Sequence, residues 1–375
     1  MENGGKILKP VIMIIRSKVN KGGPGSLISS VIGELINRGY NIIFVVGGGE
    51  YVENIQNLGA QCYVRDNLLV EKRNLLKIPA DILMIRGLVK NNNVSAIFGF
   101  NPGATIIGYL ATRLMKRKVS IASAVLGVGK EWIQKYLPFK LVSMSEGHKA
   151  VMVARGVPAS KIFVNYPSTL NKNIFNYDNC DYKYIRAELG LTDNDILIGT
   201  VMNGKKGRED YYKIIEPILR KYKNLYLLFV GNTTVYERIE KDFILSDLKD
   251  KVFFLGYRTD IPAIMKSLDI YSHLVDEEKT IETFGMVLTE AMIMKTPVIA
   301  TNIGGIRDIV LDGKTGYLVK NIDEYRARLE YLLSDKRLRS EMGELARERA
   351  LNFFTLENSV DILENILYHA DFRKL

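Results

Sequence analysis

Short apolar runs and amphipathic stretches alternate along almost the whole chain, and the pattern is laid down twice. In the first half, 11–15, 41–46, 94–100, 119–125 and 140–145 read as strands. Residues 26–38 and 80–90 carry apolar side chains at helical spacing, and Gly39-Tyr40 ends the first of these helices. The stretches 165–173 and 176–182 are polar and aperiodic, with a proline in the first. Beyond them the alternation restarts, with strands at 195–201, 225–230, 252–255 and 270–274 and helices at 211–222 and 261–267. Such alternation demands parallel sheets covered by helices on both faces. The expected architecture is α/β, with two doubly wound Rossmann-like domains at 1–168 and 169–354 and a closing helix at 355–375. A chain of 375 residues can bury a core in each. Ligands of such sheets sit beyond the carboxyl ends of the strands.

Charge is unevenly placed. Residues 1–170 hold 22 Lys+Arg against 9 Asp+Glu, a balance of +13, while the remainder is slightly acidic. So basic a first half suggests an anionic partner: a phospholipid surface or a phosphorylated acceptor. No nucleic-acid recognition motif accompanies it. Residues 67–78 are basic and roughly amphipathic. They suggest a helix packing its leucines inward, with a membrane-surface segment as the other reading. The uncharged stretch 91–112 is broken by Asn101-Pro102-Gly103 into pieces too short to span a bilayer, and reads as buried strand, turn and helix. The apolar run at 11–15 reads as a first strand rather than a signal peptide. Cys62 and Cys180 suggest a reducing compartment, hence a cytoplasmic protein, peripheral at the inner membrane face if its acceptor is there.

The sharpest chemical signal is Glu282-Thr-Phe-Gly-Met-Val-Leu-Thr-Glu290. Eight positions is a little over two turns at about 3.6 residues each, so both acids are expected on one side of a helix starting near Gly285. That helix start offers backbone N–H groups and a positive dipole end to a phosphate, and Gly285 allows close approach. A phosphate flanked by carboxylates that accept bonds from hydroxyls fits a nucleotide sugar. Thr296-Pro-Val-Ile-Ala-Thr-Asn-Ile-Gly-Gly305 follows as a strand and glycine turn, then Asp312-Gly-Lys-Thr-Gly-Tyr-Leu-Val319.

In this order and spacing, 282–319 resembles the donor-binding half of retaining GT-B glycosyltransferases. This is the large family, group 1 or family 4 type, that includes sucrose synthases and bacterial mannosyltransferases. The resemblance is strong over 185–355 and weaker over 1–168. It implies two domains facing a cleft, the first binding acceptor and the second a nucleotide-sugar donor, with the last helix returning to the first domain. It implies that Glu282 holds sugar hydroxyls, that Glu290 holds the ribose, and that Phe284, Gly285, Met286 and Val287 line the donor. In Asn203-Gly-Lys-Lys-Gly-Arg208, Lys206 matches the family cation that neutralises the leaving diphosphate. The family arginine falls at Asn203, so Lys205 or Arg208 is left to supply the second charge. Gly22 and Gly23 match the turn that caps the diphosphate from the first domain. Tyr257 and Arg258 match the loop around the base. The first-domain histidine of the family is missing from 120–127, and His148 is a distant substitute, whereas His273 is expected near the Glu282 loop.

Two rival motifs are weaker. The glycines at 22, 23 and 25 depart from the dinucleotide fingerprint, and the second strand ends in Gly47-Gly-Gly-Glu50. Asp193-Asn-Asp195 lies before a strand, at its wrong end for a ligand, and reads as turn chemistry rather than a metal site. The expected activity is retaining, metal-independent sugar transfer without a cofactor, in glycan or glycolipid synthesis. A nucleotide-sugar epimerase of the same shape and a degenerate donor-binding subunit are the alternatives.

Overall fold

A computed structural model describes residues 9–20, 22–127, 133–202, 207–232, 234–276 and 282–369, without the side chain of Gln134. The chain forms two compact units, 1–169 with 356–375 and 170–355.

In the first unit, β1 (Val11–Arg16), α1 (Gly23–Asn37), β2 (Asn41–Val46), α2 (Val52–Asn57) and β3 (Gln61–Val64) lead to α3 (Ile78–Asn91). Then come β4 (Val94–Gly99), α4 (Pro102–Thr112), β5 (Ser120–Val125), β6 (Lys140–Ser143), α5 (Glu146–Ala154) and β7 (Ile162–Val164). Among the described residues the seven strands form one sheet in the order β3-β2-β1-β4-β5-β6-β7, every neighbouring pair parallel. The order reverses between β1 and β4. The central strands are buried on both faces, as their continuous apolar runs require.

The second unit runs α6 (Lys183–Glu188), β8 (Ile196–Val201), α7 (Tyr211–Lys221), β9 (Leu225–Val230), α8 (Thr234–Ile244), β10 (Val252–Phe254), α9 (Ile261–Ser267) and β11 (Ile270–His273). It continues with α10 (Met286–Ile293), β12 (Val298–Thr301), α11 (Ile306–Ile309), β13 (Gly316–Val319), α12 (Ile322–Ser334) and α13 (Lys336–Phe353). Its described strands are again all parallel, in the order β10-β9-β8-β11-β12-β13. Here the reversal falls between β8 and β11, whose Gly199 and Tyr271 are paired.

The last helix, α14 (Leu356–Tyr368), belongs to the first unit. Tyr368 stacks on Tyr40 at 6.2 Å and shares a 3.0 Å hydrogen bond with Ser95. Arg38 bonds Asp361 and Glu364, and Asn165 Nδ2 donates to the Ser359 carbonyl at 3.0 Å. Residues 91–112 form β4 and α4, and among the described residues no helix is long and apolar enough to cross a membrane.

Two local expectations are corrected. Residues 67–78 do not form a helix with its leucines inside. They fold as two short 3₁₀ turns, 66–68 and 75–77, that bury Leu68 and Leu69 and expose Leu75 and Leu76. Pro79 sits in the first turn of α3 and the Asn74 side chain accepts from Leu76 N, so the periodic pattern is cut before it can extend. Glu282 and Glu290 do not share a helix either. Glu282 lies in the loop before α10 because Gly285, at φ 103° and ψ 62°, is the left-handed residue at which the helix begins.

Candidate donor site in the second unit

The switch point between β8 and β11 is where a doubly wound sheet opens a crevice for ligand. The two strands paired there are the ones that precede the chemically marked segments in sequence. Residues 203–208 follow β8, and the Glu282 loop follows β11. Lys205 and Lys206 lie outside the described residues.

The floor is polar within an apolar sheet. Tyr271 is fully buried in β11; its hydroxyl donates to the Val201 carbonyl at 3.2 Å and lies 3.3 Å from His273 Nδ1. His273 Nε2 in turn lies 4.0 Å from Glu282 Oε2, with both side chains buried. The expected neighbourhood of His273 and the Glu282 loop is therefore found. Burial pushes the Tyr271 phenol well above its ordinary range, and Tyr236, Glu290 and Glu282 add to the rise. Both acids of the motif thus act on one buried hydroxyl, although only one of them is on the helix. Tyr271 was not singled out in the sequence; the signal was Ile-Tyr-Ser-His, three polar side chains in a fully buried strand.

The Glu282 loop is held by the glycine turn after β12. The Glu282 carbonyl accepts from Gly305 N at 2.9 Å. Gly304 has φ 47°, and a Cβ there would lie 2.0 Å from that carbonyl oxygen; one at Gly305 would lie 2.2 Å from the Thr283 carbonyl. Side chains at these two positions would push the loop away. Thr301 Oγ1 accepts from Val275 N at 3.1 Å, fixing the chain as it leaves β11. The Phe284 ring is buried edge-on against Phe354, with centroids 5.8 Å apart, and anchors the loop in the core. Met286 and Val287 are half-buried in the first turn of α10, and Glu290 is half-buried in its second.

The other candidates are more dispersed in role. Arg208 makes 2.9 Å bonds from Nε and Nη2 to the Asp210 carboxylate, whose pKa they lower. Arg258 is clamped between Glu188 and Asp260, while neighbouring Tyr257 is 54% exposed. Arg258 and Tyr184 hold the Asp260 carboxyl down to about 2, the Arg258 bonds weighing most. The Gly231 and Gly256 turns meet through a 2.6 Å backbone bond, so the loops after β9 and β10 are tied together. Asp195 closes a turn by accepting from Thr192 N at 2.8 Å and Thr192 Oγ1 at 2.7 Å, before β8 begins. No cluster of potential metal ligands occurs among the described residues.

In the first unit, Gly22 caps α1 at φ 113°, and its carbonyl accepts from Gly25 and Ser26. A Cβ on Gly25 would lie 1.9 Å from the Asn20 carbonyl, so close backbone approach requires the glycine at 25, while Gly22 is required by its positive φ. Gly23 opens the helix. His148 is buried in the first turn of α5, its backbone N donating to Ser145 Oγ at 2.9 Å.

Two parallel sheets with this strand order, each with a glycine turn or acid motif beyond a switch point, define the GT-B class of fold. The likeness to solved structures is of the same kind. A glycosyltransferase from Rickettsia africae ESF-5 superposes with a TM-score of 0.83, covering 96% of this chain and 100% of that one at 20% identity. Anabaena HepE, in complex with UDP and glucose, gives 0.78 over 96% and 99% at 17% identity. Residues 183–349, the greater part of the second unit, match the family described as glycosyl transferases group 1. Among curated relatives, N-acetyl-alpha-D-glucosaminyl L-malate synthase of Bacillus anthracis is 28% identical over 200 residues. That alignment takes in 51% of this chain and only about half, 50%, of the relative's length.

Proposed function

We propose that the protein transfers a sugar, with retention of anomeric configuration, from a nucleoside diphosphate sugar to an acceptor hydroxyl in glycan or glycolipid synthesis. One observation supports the reading most: β8 and β11, the strands that precede the basic stretch and the Glu282 loop in sequence, are neighbours at the switch point. The likeness to HepE, whose structure contains UDP and glucose, supports a nucleotide-sugar donor and makes UDP the first base to try.

The chemistry requires a diphosphate to depart as an oxocarbenium-like sugar develops. In this reading Lys206, with Lys205 or Arg208, meets the growing negative charge, and the start of α10 adds its N–H groups. Arg208 would have to exchange Asp210 for the phosphate, which makes Lys205 the simpler second cation. Glu282 accepts from sugar hydroxyls and Glu290 from ribose hydroxyls. The leaving phosphate takes the acceptor proton on the same face, so neither glutamate is a covalent nucleophile. The cations take the place of a metal. The first unit receives an anionic or lipid-linked acceptor at the cytoplasmic membrane face. Lys206→Ala should lower kcat by about two orders of magnitude, the usual cost of losing one preorganised charge stabiliser. Lys205→Ala and Arg208→Ala identify its helper. Near-normal turnover in all three variants would remove this loop from the chemistry.

A further inference from the structure

Loop 65–77, between β3 and α3, holds leucines in water by design of its interior. Asp81, at the start of α3, is wholly buried and accepts from Arg65 Nε and Nη2 at 3.2 and 3.0 Å and from Asn67 Nδ2 at 2.5 Å. Asn67 Oδ1 accepts from Asn74 N at 2.6 Å, and Arg73 Nη2 donates to the Leu68 carbonyl at 3.1 Å. Asn74 Oδ1 then receives Leu76 N at 2.9 Å. This polar frame fixes the turn carrying Leu75 and Leu76, which are 73% and 89% exposed. Val70 and Leu83, each 66% exposed, lie on the same loop and on the helix it opens. A single exposed leucine needs no explanation, but several on one ordered protrusion mark a contact surface. Lys72 and Lys77 are exposed beside them. Over 65–90 the sequence carries six basic residues against three acidic ones.

We propose that this protrusion is a membrane wedge: Leu75 and Leu76 enter the acyl boundary of an anionic bilayer while Lys72 and Lys77 meet lipid phosphates. Apolar side chains ringed by cations are the composition that binds such an interface, and the +13 of residues 1–170 supplies the longer-range attraction. The loop follows β3, so it stands on the carboxyl-end side of the first sheet, the side on which an acceptor would bind. The inference rests on the membrane-facing part of the proposed function and names the surface that serves it.

The test is co-sedimentation of the full chain with phosphatidylcholine vesicles, with and without phosphatidylglycerol, at low and high salt. The wild type should partition onto the anionic vesicles and less so at high salt. Leu75→Ser/Leu76→Ser should reduce that partition about tenfold or more, since two buried leucines are lost. Leu114→Ser, 76% exposed beyond α4 at the other end of the sheet, should leave it unchanged. The inference is overturned if the double variant binds like the wild type, or if Leu114→Ser falls equally. It is also overturned if the wild type ignores both vesicles, or self-associates through these leucines instead. Stabilisation by nucleoside diphosphates, measured on the same samples, reports folding and the donor site. A chain that keeps this stabilisation without binding vesicles loses the wedge and keeps its proposed sugar transfer.

Discussion

Glu290 gives the most direct test at the scale of a single residue. It is half-buried on α10, close enough to Tyr271 to raise that phenol, and an acid there can accept two hydroxyls at once. Glu290→Ala should weaken binding of the preferred nucleoside diphosphate by about 1.5–3 kcal/mol, the range for a hydrogen bond to a charged group. Calorimetric titration checks this, and an unchanged affinity would place Glu290 outside the donor site. Asp260 makes a pH prediction. Its folded pKa of about 2 lies below the ordinary carboxylate value of about 3.9. The unfolded chain therefore binds the proton more readily, so the stabilisation is present above about 4 and is lost as pH falls toward about 2. The pair is part-exposed, so its worth is at most about 1 kcal/mol. Urea midpoints of Asp260→Asn should converge on the wild type at the acid end of this window and fall below it near neutrality. A constant gap across the window would assign the effect to something other than the charge.

At the scale of elements, the site is a loop clamped between two strands. The glycine turn at 304–305 lies against the backbone of 282–284, and α10 starts at Gly285. Gly304→Ala forces a Cβ onto the Glu282 carbonyl at positive φ and should cost about 2–4 kcal/mol, combining overpacking with backbone strain. It should also lower nucleoside diphosphate affinity. Gly313→Ala has a comparable positive φ, 72°, with nothing within 4 Å, so it should cost only about 1–2 kcal/mol and leave affinity intact. Melting curves and titration of both variants separate clamp from strain; equal loss of affinity in both would deny the clamp its role. The motif itself was legible in the sequence, because its residues are close together in the chain. Its geometry was not. Periodicity placed both glutamates on one helix, but a left-handed glycine decided where the helix began. The same limit hid the loop at 65–77, where Asn and Asp side chains compete with helix for backbone groups. It also hid β3, whose Gln-Cys-Tyr-Val lies at the sheet edge and shows no buried run.

For the whole molecule, the alternation of apolar runs was enough to specify two parallel doubly wound sheets, since parallel strands are buried on both faces and need crossover helices. Strand order could not be read from it. The order depends on which crossover turns back, and that is what sets β8 beside β11 and makes two segments about seventy residues apart in sequence into neighbours in the sheet. Turnover of a nucleotide sugar is what separates a transferase from the alternatives, and it can be measured directly. The purified chain is incubated with common nucleotide sugars and a membrane extract as acceptor, with a strong chelator present. Released nucleoside diphosphate and the anomeric configuration of the product are followed together. Release from at least one donor is expected, undiminished by chelation, with the sugar joined in the donor's own anomeric configuration. A new sugar epimer still attached to the nucleotide, or tight binding without release, would contradict sugar transfer.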